Sequence, residues 1–162
     1  MSTRTVPGGA WPLATIGYEG ATVATFLAAL RAARVDLLVD VRAVAMSRRP
    51  GFAKSRLAAN LAEAGIEYRH LRALGTPSEG RAAARAGRHD EMRRVFAGQL
   101  DTDAAQAALD ELAALVDEGR RVCLLCFEAR PAHCHRALVA DALARRVAVD
   151  VVHLAPDADD VA

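Results

Sequence analysis

The segment CFEARPAHCHRA, Cys126–Ala137, gathers two cysteines, two histidines, a glutamate and two arginines directly after the apolar run VCLL. Cys126 falls where a buried strand should end. Cys134 is expected in the first turn of a helix opened by Pro131, where free N–H groups and the positive end of the helix dipole favour a thiolate. Arg130 and Arg136 add positive charge on either side. Cys126 and Cys134 are therefore candidate nucleophiles or redox thiols, with Glu128 beside them as an acid or base. Cys123, inside the run, reads as a small core residue. Cys126, His133, Cys134 and His135, with His70 from another strand end, offer enough donors for zinc, but there is no C-x-x-C pair. On a helix His133 and His135 would point about 200° apart. No metal ligand set is assigned on this spacing, and no cofactor is named. A Cys126–Cys134 disulfide stays open as an alternative, although a reducing cytosol disfavours a permanent one.

The order strand, cysteine, loop, arginine, helix is similar to the design of sulfurtransferases and cysteine phosphatases, in which backbone N–H groups cradle an anion. Ala132 stands where a cysteine phosphatase carries its arginine, and the loop has no glycine for close backbone approach. A second reactive region is DVRAVAMSRRPGFAKSRL, from Asp40 to Leu57, the densest basic patch of the chain. Arg42, Arg48, Arg49 and Lys54 could grip a phosphate or carboxylate, since guanidinium forks bind such groups bidentately. The alternative is an exposed charged loop with Asp40 and Arg42 paired internally. A third region, TIGYEG, sets Tyr18 and Glu19 between two glycines at a sharp strand-to-helix turn, without the three-glycine dinucleotide fingerprint.

Several elements must bring these residues together. ATIG (14–17), DLLVDV (36–41), IEYRHL (66–71), RVCLLC (121–126) and VDVVHL (149–154) read as strands. Helices are expected over 22–34 with Thr22 as N-cap, over 54–64 closed by Gly65, and over 90–99. A further helix follows Asp103, whose side chain with Gln106 makes a variant capping box, and the last spans 132–146 behind Pro131. The polar stretch around Gly75, Pro77 and Gly80 carries no assigned element. Strands alternating with helices predict an α/β fold: one three-layer domain over 13–155, with a mostly parallel sheet of about five strands. Residues 1–12 read as a flexible lead-in and 156–162 as an acidic tail. In such sheets ligands sit beyond the carboxyl ends of the strands. Tyr18-Glu19, Asp40-Arg42, His70 and Cys126-Glu128 all fall there, so one shared cleft is expected.

The chain has 162 residues, 52% of them hydrophobic, enough to bury a core without disulfides. Its formal charge of +1 supplies no global field, so any anion or nucleic-acid contact must come from local patches. Three cysteines make no secreted disulfide framework. No signal-length apolar segment or membrane-length run is present, so a cytoplasmic protein without a membrane partner is expected.

TIGYEG (15–20), LLVDVRAVAMSRRPGF (37–52), GIEYRHLRALGTP (65–77) and LLCFEARPAHCHRALVA (124–140) resemble, in order, the signature segments of the domain of unknown function 488 family. The resemblance covers roughly residues 14–154. It implies a compact α/β domain and no established reaction. Family-typical residues carry over at Gly17, Tyr18, Gly20, Asp40, Arg42, Ser47, Phe52, Lys54, Leu74, Gly75, Cys126, Glu128, Cys134, His135 and Arg136. Ala45 stands where a proline is common, and Ala53 where a serine often precedes the lysine.

The leading expectation is an enzyme-like domain that binds a small anionic, phosphate- or nucleotide-bearing ligand. Arg42, Arg48, Arg49, Lys54 and Arg136 would hold the anion, and Tyr18, His70 and His135 would complete the pocket. Glu19, Asp40 or Glu128 would move or orient protons, and Cys126 or Cys134 would attack if the chemistry is covalent. The first alternative is a nucleic-acid-binding module without catalysis, with Tyr18 or Phe52 stacking on bases. The second is a thiol redox or metal sensor. The oligomeric state is not legible.

Overall fold

The structure, a computed structural model, describes residues 11–156. The expected lead-in up to residue 10 and the tail from residue 157 lie outside the described residues. Trp11 packs under the guanidinium of Arg121, 4.6 Å from ring centroid to Cζ.

Five strands form one all-parallel sheet: β1 (Leu13–Gly17), β2 (Leu37–Asp40), β3 (Glu67–His70), β4 (Val122–Cys126) and β5 (Val151–Leu154). Their spatial order is β3-β2-β4-β1-β5. The helices are α1 (Val23–Ala32), α2 (Lys54–Glu63), α3 (Ser78–Arg85), α4 (His89–Leu100), α5 (Asp103–Asp117) and α6 (His135–Ala144). The α/β class and the parallel sheet are as the alternation of apolar runs and helical stripes requires.

Side chains alternate across the pleat, so each strand feeds two cores. Ile16, Leu38 and Leu125 pack with Phe26 and Leu30 of α1 and Leu57 and Leu61 of α2. Val39, Leu124 and Val122 pack on the other face with Phe96 of α4, Leu112 of α5 and Val139 of α6. The chain leaving β1 and β2 thus turns to one face, and the chain leaving β4, which lies between them, turns to the other. Neighbouring loops that part in this way open a crevice at the carboxyl edge of the sheet.

Local chemistry sets the helix ends. Thr22 caps α1 as expected, its Oγ1 accepting from the Thr25 N–H at 3.1 Å. Ala53 has no hydroxyl, and α2 starts without a side-chain cap. The cap of α5 is Thr102 rather than Asp103: its Oγ1 accepts from the Ala105 N–H at 3.2 Å, while Gln106 turns back to the Leu100 carbonyl at 2.6 Å. The expected helix over 132–146 is split. Pro131–His133 is a 3-10 turn, and α6 begins at His135 with Cys134 as its N-cap. Helix α3 occupies the stretch left unassigned. Its buried face is Gly80 and Ala83, too small to register as an apolar stripe.

Candidate functional site

The parallel register puts Gly17 opposite Cys126, and Asp40 opposite both Leu125 and His70. The ladder continues past the strands. Tyr18 N–H donates to the Cys126 carbonyl (3.3 Å), Glu19 N–H to the Phe127 carbonyl (2.9 Å), and Val41 N–H to the Leu125 carbonyl (3.1 Å). Three strand exits are thereby held side by side. Glu19 tightens the arrangement by accepting from the Ala129 N–H at 3.0 Å. Gly17 is required here, because a Cβ on it would collide with the Glu128 carbonyl of the returning loop.

A cleft of about 830 Å³ opens above these exits. Tyr18, Glu19, Arg42, Cys126, Glu128 and His135 line it. Much of its remaining wall comes from the Val44–Met46 loop and from α3 and α4, including Arg81, Arg85 and His89, with Phe127 and His133 beside them. Arg81 and Arg85 are one helical turn apart, so they share a face of α3. Neither was singled out in the sequence, and their i,i+4 spacing beside Pro77 is the signal that could have found them. His89 stacks on His133, with ring centroids 4.1 Å apart. Val44, Met46 and Phe127 leave large apolar surfaces exposed in this region.

Two sequence-predicted cations are spent inside the fold. Arg42 forks onto Asp40, Nε to Oδ1 at 2.9 Å and Nη2 to Oδ2 at 2.7 Å, and its Nη1 donates to the Phe52 carbonyl (2.9 Å) and the Tyr18 hydroxyl (3.2 Å). Tyr68 donates a further bond to Asp40 Oδ2 at 2.6 Å. Burial alone would lower the Arg42 pKa, but hydrogen bonding to Asp40 and its charge outweigh this and hold it above the usual value. Burial, then Asp40, pushes the Tyr68 phenol up as well.

Arg136 is fully buried and donates Nε to Thr15 Oγ1 (3.0 Å), Nη1 to the Glu128 carbonyl and Nη2 to the Ala129 carbonyl (3.2 Å). It clamps the loop after β4 to the sheet, and burial lowers its pKa to about 10. His70 is bound to the Arg42 carbonyl at 2.7 Å, and Arg49 donates to the Ala21 carbonyl at 2.6 Å. Arg48 and Lys54 are exposed; they, Arg49, His70 and Arg136 do not line the cleft.

The β4 exit is different. Cys126 and Cys134 face each other across the 3-10 turn with their sulfurs at bonding distance, a disulfide closing the loop. Cys134 Sγ also accepts the Arg136 N–H at 3.5 Å, the N-cap role a hydroxyl would normally take. His135 Nε2 lies 2.7 Å from the Val41 carbonyl, which can only accept, so Nε2 carries the proton. Its Nδ1 then presents a lone pair, 3.5 Å from Cys126 Sγ and 3.8 Å from Cys134 Sγ. Burial depresses the His135 pKa to about 4, which keeps the ring neutral near pH 7. Glu128 Oε1 is 3.5 Å from Cys126 Sγ, and burial raises its pKa. Cys123 lies fully buried within β4, its thiol pKa pushed up by burial, as a core residue's should be.

Among the described residues no helix is long and apolar enough to cross a membrane. No curated protein and no solved structure matches the chain. One family model does, over residues 22–143, a span that takes in the β2 exit, α3 and α4, and the whole Cys126–Arg136 segment. By that match the chain belongs to the domain of unknown function DUF488 family.

Proposed function

We propose that this DUF488 chain is an enzyme-like domain that binds a small anionic, phosphate- or nucleotide-bearing ligand in the cleft above the Cys126–Cys134 pair. The observation that carries this reading is the convergence, in one cleft at the strand ends, of Arg81 and Arg85 with Cys126, His135 and Glu128. Such a meeting of cations, a nucleophile and acid–base groups is how an active site is recognised from structure. Arg81 and Arg85 hold the anion, in place of Arg42 and Arg136, whose donors already have protein acceptors. Arg81 gives one donor to the Thr76 carbonyl at 2.9 Å, which fixes its direction and leaves the rest of its fork for a ligand. Val44, Met46 and Phe127 offer apolar surface to the uncharged part of the ligand. Once reduced, Cys126 is the group placed to attack. Glu128, its pKa raised by burial, is suited to proton transfer beside it.

Calorimetric titration of the reduced full chain with ATP and with inorganic pyrophosphate tests this reading. Saturable binding is expected, weakened about tenfold or more by Arg81→Ala and by Arg85→Ala, the usual loss for a charge-assisted hydrogen bond. No binding of either probe, or binding indifferent to both substitutions, contradicts it. A single-stranded oligonucleotide that outcompetes the mononucleotide, with a steep salt dependence, would favour the nucleic-acid reading instead.

A further inference from the structure

Cys126, Cys134 and His135 bring their three donor atoms within 4.8 Å of one another, all on buried residues. They are the one such group of histidine, cysteine and carboxylate donors found among the described residues. In tetrahedral zinc sites, bonds of about 2.3 Å to sulfur and 2.0–2.1 Å to nitrogen require N···S edges of about 3.6 Å. The two N···S edges here are 3.5 and 3.8 Å in the oxidised form. The third edge is the disulfide itself, and on reduction the two sulfurs must part to about 3.8 Å to complete the triangle. The imidazole is already prepared: its Nε2–H is given to the Val41 carbonyl, the outer-shell bond that ligating histidines make, and Nδ1 faces both sulfurs. Phe96 packs edge-on against the His135 ring at 5.0 Å and limits its rotation. The Arg136 N–H directed at Cys134 Sγ suits a thiolate there.

We propose that the reduced Cys126 and Cys134 thiolates and His135 Nδ1 together bind a zinc-type divalent ion whose fourth position opens on the cleft. Cys126 and His135 both line that cleft, and the Glu128 carboxyl stands beside Cys126. Two thiolates, one imidazole and an open position make a donor set of the catalytic rather than the closed structural kind. The disulfide and the metal exclude each other. Reduction by a water-soluble phosphine breaks the S–S bond, leaving two thiols while the phosphine takes oxygen from water. The divalent ion then displaces both thiol protons, so two protons leave for each ion bound. His133, which the sequence placed beside His135 as a possible donor, instead stacks on His89 and stays outside the cluster.

This inference goes beyond the anion-binding reading and does not need it, since metal is titrated with no nucleotide present. With the ion bound Cys126 is a ligand, and its role as nucleophile belongs to the reduced, metal-free chain. The full chain is reduced with phosphine, stripped of metal, and titrated with Co²⁺ and Zn²⁺. The proposal expects one ion per chain, with the charge-transfer and intense ligand-field bands of a tetrahedral thiolate site, and proton release on binding. Cys126→Ser and Cys134→Ser should each abolish those bands, and His135→Gln, which removes a direct ligand, should weaken binding by more than the roughly 10–100-fold that loss of an outer-shell partner costs. Cys123→Ser and His133→Asn should leave it unchanged. If any ligand variant fails to fold, the wild-type comparison decides: the oxidised chain must take up no ion and the reduced chain one. No uptake by the reduced chain, equal uptake by both forms, or thiolate bands that survive Cys134→Ser would overturn the proposal. The anion reading is judged separately by the response to Arg81→Ala and Arg85→Ala, neither of which touches the metal donors.

Discussion

The exits of β2 and β4 are neighbours in the sheet and carry comparable numbers of ionisable groups, yet they use them in opposite ways. At the β2 exit, Asp40 accepts from the Arg42 guanidinium, the Arg42 N–H and the Tyr68 hydroxyl, and Arg42 spends its remaining fork on Tyr18 and the Phe52 carbonyl. Both side chains are buried, and little of their bonding capacity is left for a ligand. At the β4 exit the donors and acceptors are fixed in direction but not exhausted. The His135 Nδ1 lone pair, the Cys126 sulfur and the Glu128 carboxyl all converge on the cleft. Charge density in a sequence therefore does not locate chemistry. The informative quantity is how much bonding capacity the fold leaves unused.

Disabling the saturated β2 exit should have the largest effect. Asp40→Asn removes the negative partner of a buried arginine and should cost about 3–5 kcal/mol, because an uncompensated buried charge is left behind. Denaturant unfolding reads this directly. A loss below about 1 kcal/mol would mean that the pair is not truly sequestered.

Gly17→Ala tests the other exit. The added methyl meets the Glu128 carbonyl and must displace the loop that follows Cys126 and carries Glu128. Overpacking of this kind costs about 1–3 kcal/mol. The variant should also weaken ligand binding more than an equally destabilising change in α5 does. Equal effects on binding would remove Gly17 from the positioning of the cleft.

A smaller effect separates the clamp from the site. Arg136 Nε–H donates to Thr15 Oγ1, so the Thr15 hydroxyl is free to donate onward to His153 Nδ1 at 2.6 Å. Protonating that nitrogen removes its acceptor. His153 is exposed as a residue, but partial desolvation of its ring, then the Arg136 charge, lowers its pKa below the ordinary value, and Asp141 opposes this only in part, so the effect is small. Because the unfolded chain binds this proton more readily, the stability it contributes is complete above about pH 6.5 and falls as pH drops toward the folded value. His153→Gln should flatten that part of the stability profile. An unchanged slope between wild type and variant would discard the relay.

Much of the frame was legible because apolar runs and helical stripes report burial: all five strands and five of the six helices follow from them. Helix α3 escaped because Gly80 and Ala83 make its buried face, so periodicity had no large side chain to register. With α3 unseen, Arg81 and Arg85 could not be placed in the cleft. The strand-end rule did bring Tyr18, Arg42 and Cys126 to one place. Composition could not show that Asp40 consumes Arg42, nor that Arg136 turns inward to Thr15. The Cys126–Cys134–His135 cluster was obscured by treating residues 132–146 as one helix. A 3-10 turn at Pro131–His133 makes Cys134 the cap of α6, aims His135 at both sulfurs and sends His133 elsewhere.

If the reactive groups at this sheet edge are those of the β4 exit and face the cleft, site-resolved alkylation of the reduced, metal-free native chain, with the three cysteines followed separately by mass spectrometry, will show it. Cys126, which lines the cleft, should be modified at least about tenfold faster than Cys123, whose thiol pKa is raised by burial inside β4. Cys123 reacting as fast as Cys126, or Cys126 reacting only once the chain unfolds, would contradict it.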